Sequence, residues 1–210
     1  MSQSSNVLIR HVADERISHW LTAIGFFLVA LSGLALYHPS LYWLVNLMGG
    51  GPWARILHPF IGVLMLLTFL YQVVRLWKDN RMTRADWKWL ANARSIMMKR
   101  GADVPEAGRF NGGQKMLFKL LLLSMLLLLA SGIVMWRPYF APQFAIEWIR
   151  LAILVHAVSA FVLIGLVLGH IYMVVWTRGS MRAITRGTVT QTWAKHHHPA
   201  WYREVTGASD

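Results

Sequence analysis

Residues 156 to 170 read HAVSAFVLIGLVLGH, in which two histidines enclose thirteen residues without a formal charge. Fourteen helical steps of about 100° total about 1400°, which is about 40° short of four full turns. A helix would therefore turn His156 and His170 to nearly the same face. A rise of about 1.5 Å per residue separates the two imidazoles by about 21 Å. The stretch predicts one long apolar helix with a histidine at each of two depths.

Uncharged runs indicate that the chain folds in a membrane. No Asp, Glu, Lys or Arg occurs in residues 17–54, 56–74, 120–136 or 151–177. A helix that crosses a bilayer needs about 17 to 25 mostly apolar residues, and backbone groups in lipid must pair within the segment. We therefore predict an all-α membrane protein, a four-transmembrane-helix bundle in a single domain over residues 1–210, with spans near 20–37, 56–76, 117–136 and 150–177.

The distribution of basic residues predicts the orientation. The chain has 21 Lys and Arg against 9 Asp and Glu, a formal net charge of +12. Sixteen of the basic residues lie in the N-terminal segment, the loop between spans two and three and the C-terminal tail, whereas the other two connections hold only Arg55, Arg137 and Arg150. By the positive-inside rule, both termini and the middle loop are cytoplasmic, and the charge does not indicate nucleic-acid binding.

The middle loop carries a helix signal of its own. Thr83 and Asp86 have the spacing of a capping box at the start of TRADWKWLANARSIMMKR, residues 83–100. We predict a helix here on the cytoplasmic membrane surface, with its aromatic residues at headgroup level. The next segment, GADVPEAGRFNGGQK, is rich in glycine and is predicted to be irregular.

The absence of cysteine limits the possible cofactors. With no cysteine in the chain, disulfides, thiolate zinc sites, iron-sulfur clusters and covalent haem attachment are all excluded. A cofactor in this chain would need other ligands.

Four of the nine histidines lie in or at the edge of the predicted spans, where ionisable groups are costly and usually functional. His19 and His170 lie at the cytoplasmic level, and His58 and His156 lie at the outer level. Two facing imidazoles at one depth can supply both axial ligands of a b-type haem, so the pattern favours two haems stacked across the bilayer. The alternative is that the histidines are hydrogen-bonded core residues, but a single four-histidine metal site is excluded by the separation of about 21 Å along one helix.

Small residues and the tail histidines are less specific signals. Small residues in the spans would let helices or a flat macrocycle approach closely, and ordinary helix packing explains them as well; they are Ser32, Gly33, Gly62, Ser131, Gly132, Ser159, Gly165 and Gly169. The run His196, His197 and His198 is interpreted as solvated tail.

The segment GRFNGGQK, residues 108–115, is a candidate quinone site. Asn111 and Gln114 bring amide groups to the cytoplasmic start of span three, and Gly112 and Gly113 leave room for a ring. The alternative is that Asn111 is a helix N-cap.

Several segments together resemble a known family. The resemblance extends from Ile9 to Val205, and the family is the cytochrome b (gamma) subunit of the membrane-bound respiratory formate dehydrogenases of bacteria. The segments that carry it are ERISHWLTA, ARILHPFIGV, GRFNGGQK, SGIVMWRPYFAP, LVHAVSAFVLIGLVLGHIYM and WAKHHHPAWYREV. The resemblance implies that His58 and His156 ligate an outer haem b, and that His19 and His170 ligate an inner haem b. It also implies a quinone pocket, for menaquinone or ubiquinone, at Asn111, Gly113 and Gln114 beside His170.

The same resemblance implies partners and a location. Electrons would come from a periplasmic molybdenum or tungsten catalytic (alpha) subunit through an iron-sulfur (beta) subunit that has one transmembrane helix. The chain would then be the inner-membrane anchor and electron exit of a formate:quinone oxidoreductase, used in anaerobic respiration and compatible with a higher oligomer of the complex. The open alternatives are the cytochrome b of a nickel-iron hydrogenase or a thiosulfate reductase, and a haem-free membrane anchor.

Overall fold

The structure of the chain is a computed structural model that describes residues 6–98 and 105–208. Lys99 and Arg100, at the end of the predicted surface helix, and residues 101–104 of the glycine-rich segment lie outside the described residues. In chain order the elements are β1 (Val7–Ile9), α1 (Ala13–Tyr37), a 3-10 helix (Pro39–Met48), α2 (Gly51–Leu76), α3 (Arg84–Ala91), α4 (Ala93–Met97), α5 (Gly112–Met135), a 3-10 helix (Ala141–Gln143), α6 (Ile146–Trp176), α7 (Ser180–Arg186), β2 (Thr188–Thr190), α8 (Gln191–His197) and α9 (Pro199–Thr206).

The four predicted spans are confirmed as the long helices α1, α2, α5 and α6, each long and apolar enough to cross a membrane. Each helix begins four to seven residues before the predicted span. The reason is that an uncharged run marks the lipid-exposed part of a helix, while the helix itself continues into polar flanks. In α1, for example, Asp14 and Glu15 occupy the first turn, where their negative charges interact favourably with the helix dipole and stabilise the helix.

The surface helix predicted over residues 83–100 is interrupted. The capping box is present, because the Thr83 hydroxyl accepts from the Asp86 backbone N–H at 3.3 Å and the Asp86 carboxylate accepts from the Thr83 N–H at 2.8 Å. The helix ends at Asn92, whose side-chain amide donates to the Lys88 carbonyl at 2.9 Å and separates α3 from α4. Its position on the membrane surface stays a prediction.

The chain divides into two compact units. The first contains Met1–Arg16, Val74–Leu120 and His170–Asp210. In it, β1 pairs with β2 in an antiparallel ladder that the sequence pattern did not predict, with Leu8 opposite Val189. A small apolar core of Ala183, Val189, Ala194 and Trp201 lies beside this ladder.

The second unit contains Ile17–Val73 and Leu121–Gly169, and it is built from segments of all four long helices. Helices α1 and α2 approach closely, since a Cβ added at Gly25 would lie 3.0 Å from Cβ of Met65. Aromatic rings connect α2 with α5 and α1 with α6. The ring centroids of Phe60 in α2 and Trp136, directly after α5, are 5.1 Å apart, and those of Tyr37 in α1 and Phe161 in α6 are 5.3 Å apart.

Large apolar side chains on the long helices face outward. Leu64 of α2 and Leu154 of α6 are each 61% exposed, and Leu168 is 62% exposed. Soluble monomers rarely leave such continuous apolar surface in water. The all-α membrane bundle predicted from the uncharged runs is therefore confirmed.

Candidate functional site

Helices α2 and α6 bring His58 and His156 together inside the second unit. The centroids of the two imidazole rings are 6.3 Å apart, and their planes are inclined at 56°. These residues are 98 positions apart in the sequence and were paired there only by their depth. The structure brings the two rings next to each other.

A serine on a third helix holds the His58 ring. The Ser32 hydroxyl of α1 donates to the Leu28 carbonyl at 2.8 Å, and its oxygen lies 2.8 Å from Nδ1 of His58. A hydroxyl has one proton, and the carbonyl takes it, so Nδ1 must be the donor to the serine oxygen. His58 therefore carries its proton on Nδ1, which leaves Nε2 with a free lone pair.

His156 is held in the same way from the fourth helix. The Ser131 hydroxyl of α5 donates to the Leu127 carbonyl at 2.6 Å, and its oxygen lies 3.0 Å from Nδ1 of His156. The same reasoning places the proton of His156 on Nδ1 and leaves Nε2 as a potential metal ligand. Each of the four long helices thus contributes one member of this site.

A glycine follows each serine, and both glycines lie against the imidazoles. A Cβ added at Gly33 would be 3.3 Å from Cε1 of His58, and one added at Gly132 would be 3.5 Å from Cε1 of His156. The dipeptide Ser-Gly occurs in the sequence only at these two places. Its repetition was the available signal for these hydrogen bonds, which the sequence pattern had indicated only as small-residue packing.

The arrangement fits a metal bound between two imidazoles, as in a b-type haem. A metal-to-nitrogen bond of about 2.0 Å on each side, together with the size of two imidazole rings, gives a centroid separation of about 6 Å. The observed 6.3 Å agrees with that value. Among the described residues, no group of three or more His, Cys, Asp and Glu side chains is arranged to hold a bare metal ion. The two histidines therefore suit a prosthetic group that supplies its remaining ligands itself.

The other predicted pair is distributed over both units. His19 lies on α1 in the second unit, and His170 lies on α6 in the first unit. His156 and His170 do share one uninterrupted helix, as their spacing predicted. The pairing of His19 with His170 stays a prediction.

The candidate quinone residues form the start of α5. The Asn111 side chain accepts from the Gln114 N–H at 2.9 Å, and the Gln114 side chain accepts from the Asn111 N–H at 3.0 Å. The N-cap alternative is therefore real, although Gln114 remains exposed and its amide nitrogen can still serve a ligand. Next to them, a Cβ at Gly113 would lie 2.9 Å from the Trp89 ring, so this glycine makes room for an aromatic ring of the chain itself.

One prediction about the tail was wrong. His196 is exposed, but His198 is only 2% exposed and donates from Nδ1 to the Gly108 carbonyl at 2.8 Å. Burial, and then the nearby Arg10 guanidinium, lower the pKa of His198 to about 4. The ring is therefore neutral at physiological pH. A run of three histidines does not reveal which of them will be buried.

Comparisons with known proteins identify the family of the chain. The family model described as prokaryotic cytochrome b561 matches residues 10–187. The formate dehydrogenase cytochrome b556(fdo) subunit of Escherichia coli strain K12 is 45% identical over 200 residues, which cover 95% of this chain and 94% of the relative. The formate dehydrogenase cytochrome b556 subunit of Haemophilus influenzae is 44% identical over 197 residues, covering 94% and 83%. The nitrate-inducible formate dehydrogenase cytochrome b556(Fdn) subunit of E. coli K12 is 38% identical over 204 residues, covering 97% and 94%.

These similarities extend over nearly the whole chain, and the matched range contains all four histidines of the predicted pairs. A cytochrome b family implies b-type haem, and the four apolar helices are those of an integral membrane protein. The protein is thus a membrane cytochrome b of electron transfer. The chain belongs to the prokaryotic cytochrome b561 family, together with the cytochrome b subunits of bacterial formate dehydrogenases.

Proposed function

We propose that the chain is the membrane anchor and electron-transfer subunit of a formate dehydrogenase, a single di-haem domain that carries electrons from a periplasmic donor to a quinone at the cytoplasmic side. The observation that carries this proposal is the facing pair His58 and His156, with each ring held by its own serine. The similarity to formate dehydrogenase subunits over 95% of the chain supports the choice of complex.

The residues of this site prepare two nitrogen ligands. Ser32 and Ser131 keep the proton of each ring on Nδ1, so both Nε2 atoms carry a lone pair that can bind a metal. A b-type haem held there would supply one-electron transfer. The surrounding long helices are apolar, which favours a low-dielectric electron path.

The second haem is proposed at His19 and His170. Both residues lie within the long helices. His156 and His170 lie on one uninterrupted helix, so the ligands of the two proposed haems would be about 21 Å apart along α6. Electrons would pass from the outer haem to the inner haem. Asn111, Gly113 and Gln114, with His170, would hold menaquinone or ubiquinone beside the inner haem.

The proposed orientation gives the reaction a direction across the inner membrane. With both termini cytoplasmic, formate oxidation outside and quinone reduction inside would build a membrane potential. Moving one charge against this field costs about 2.3 kcal/mol per 100 mV, so the donor must be strongly reducing. Formate satisfies that requirement.

The proposed partners are an iron-sulfur (beta) subunit with a transmembrane helix and a molybdenum or tungsten catalytic (alpha) subunit. Their support is that the relatives named above are subunits of formate dehydrogenases. The cytochrome b of a nickel-iron hydrogenase or a thiosulfate reductase would hold its haems with histidine pairs in the same way. The large subunit that copurifies with the chain distinguishes these complexes.

The test is a haem count followed by a cycle of reduction and oxidation in the purified complex. A pyridine haemochrome assay should find two b-type haems per chain. Formate should reduce both haems, and a quinone should then oxidise them. A count of zero would leave only the haem-free membrane anchor, and a count of two without reduction by formate would point to another donor.

Replacing Ser131 with alanine should raise the reduction potential of the outer haem. The serine oxygen accepts the Nδ1 proton of His156, which makes that imidazole a more basic ligand and stabilises the ferric state. If the ferric haem loses a factor of ten in stability relative to the ferrous haem, its one-electron reduction potential rises by about 59 mV. Redox titration of the α-band measures the shift. Ser124→Ala, at a buried serine on the same helix, is the matched control and should leave the potential unchanged.

A further inference from the structure

The segment around β1 and helix α9 meet at one buried arginine in the first unit. Arg10, the residue directly after β1, is only 4% exposed, and its backbone N–H donates to the Gly187 carbonyl at 2.8 Å. Its guanidinium carbon lies 4.4 Å from the centroid of the Trp201 ring in α9. A buried guanidinium is expensive unless its hydrogen bonds and charge are compensated. Its partners therefore indicate what it holds in place.

The first partner is His198. Because Nδ1 of His198 donates to the Gly108 carbonyl at 2.8 Å, its Nε2 is unprotonated and accepts from Nη2 of Arg10 at 3.5 Å. The same Nη2 donates to the Arg109 carbonyl. Arg10 and His198 thus bind two consecutive backbone carbonyls, those of Gly108 and Arg109.

The side chain of Arg109 closes the cluster from the other side. Its Nη2 donates to the Arg10 carbonyl at 3.1 Å and to Glu15 at 2.9 Å, while Nη1 donates to Asp79 at 2.6 Å. Two carboxylates therefore balance the two guanidinium groups. The Phe110 ring lies 5.4 Å from the guanidinium carbon of Arg10 and 5.6 Å from that of Arg109.

This cluster holds the backbone immediately before Asn111. The segment before Asn111 has no regular secondary structure, and side-chain hydrogen bonds to the consecutive carbonyls of Gly108 and Arg109 hold it instead. A site on a loop reaches the required precision only when surrounding residues support it. We propose that Arg10 and His198 are positioning residues for the quinone pocket at Asn111, Gly113 and Gln114. The proposal rests on the proposed quinone-reducing function.

The test uses the complete formate dehydrogenase complex. His198→Ala removes the bond to the Gly108 carbonyl, and we expect the KM for a quinone analogue to rise about tenfold, because small displacements of positioning groups cost one to two orders of magnitude. Haem content and the rate of haem reduction by formate should be unchanged. His198→Asn should restore the KM, since its amide nitrogen takes the place of Nδ1 and can donate to the same carbonyl. His196→Ala, at the exposed histidine two residues earlier, is the matched control.

A second variant keeps the test decisive if His198→Ala assembles poorly. Arg10→Lys retains the charge but has one ammonium group in place of the planar fork, and it should raise the KM in the same way. An unchanged KM in both variants would overturn the proposal. So would haem loss in proportion to activity, which would show a merely structural role. Failure of quinone to oxidise the haems in the unmodified complex would instead refute the proposed function itself.

Discussion

Replacement of His156 with alanine is expected to reduce the haem content from two to one per chain. His156 and His58 would together hold the outer haem through their Nε2 atoms, and we expect His58 alone not to retain it. Formate should then reduce the remaining haem far more slowly, because the electron path from the outer side has lost the outer haem. The pyridine haemochrome count and the low-temperature α-band spectrum measure the loss.

Two comparisons make this result specific to ligation. His58→Ala should lose the same spectral component as His156→Ala, since both residues would ligate one iron. His196→Ala removes an exposed histidine and should keep both haems. In His156→Gly, added imidazole should restore the missing α-band by occupying the vacated position. Two haems in His156→Ala would contradict the assignment of this pair.

Replacement of His170 with alanine is expected to have the complementary effect. The outer haem should remain and be reduced by formate, but quinone should no longer oxidise it, since the inner haem and one side of the quinone pocket are lost together. Stopped-flow spectroscopy would show reduction by formate without reoxidation. This outcome separates the two halves of the proposed path.

The pairing itself is tested by His19→Ala. If His19 and His170 ligate one haem, both substitutions remove the same spectral component, and it differs from the component lost in His58→Ala. For His170→Ala, the control for damage to α6 is Leu168→Ala, because Leu168 is a 62% exposed residue of that helix. Retention of the inner haem in His19→Ala would show that the depth pairing was incorrect.

Local features of the fold were predictable because they depend on short stretches. An uncharged run of about twenty residues must form a helix in lipid, whatever it packs against. The common face of His156 and His170 follows from the turn of a single helix. The Thr83 capping box was equally visible, because a cap is made by residues three positions apart. The break at Asn92 was not, since asparagine fits both within a helix and at its end.

The sequence by itself determined that the protein has four apolar helices, which histidines lie within them and at what spacing they follow one another. Only the tertiary structure decided which groups those histidines contact. The hydrogen-bond partners of His58 and His156 include Ser32 and Ser131, which are 26 and 25 residues away on other helices. The burial of His198 depends on Gly108 and Arg10, which are 90 and 188 residues away. Such contacts form only when distant segments pack together, so no local periodicity encodes them, and they decide which nitrogen of each ring carries the proton.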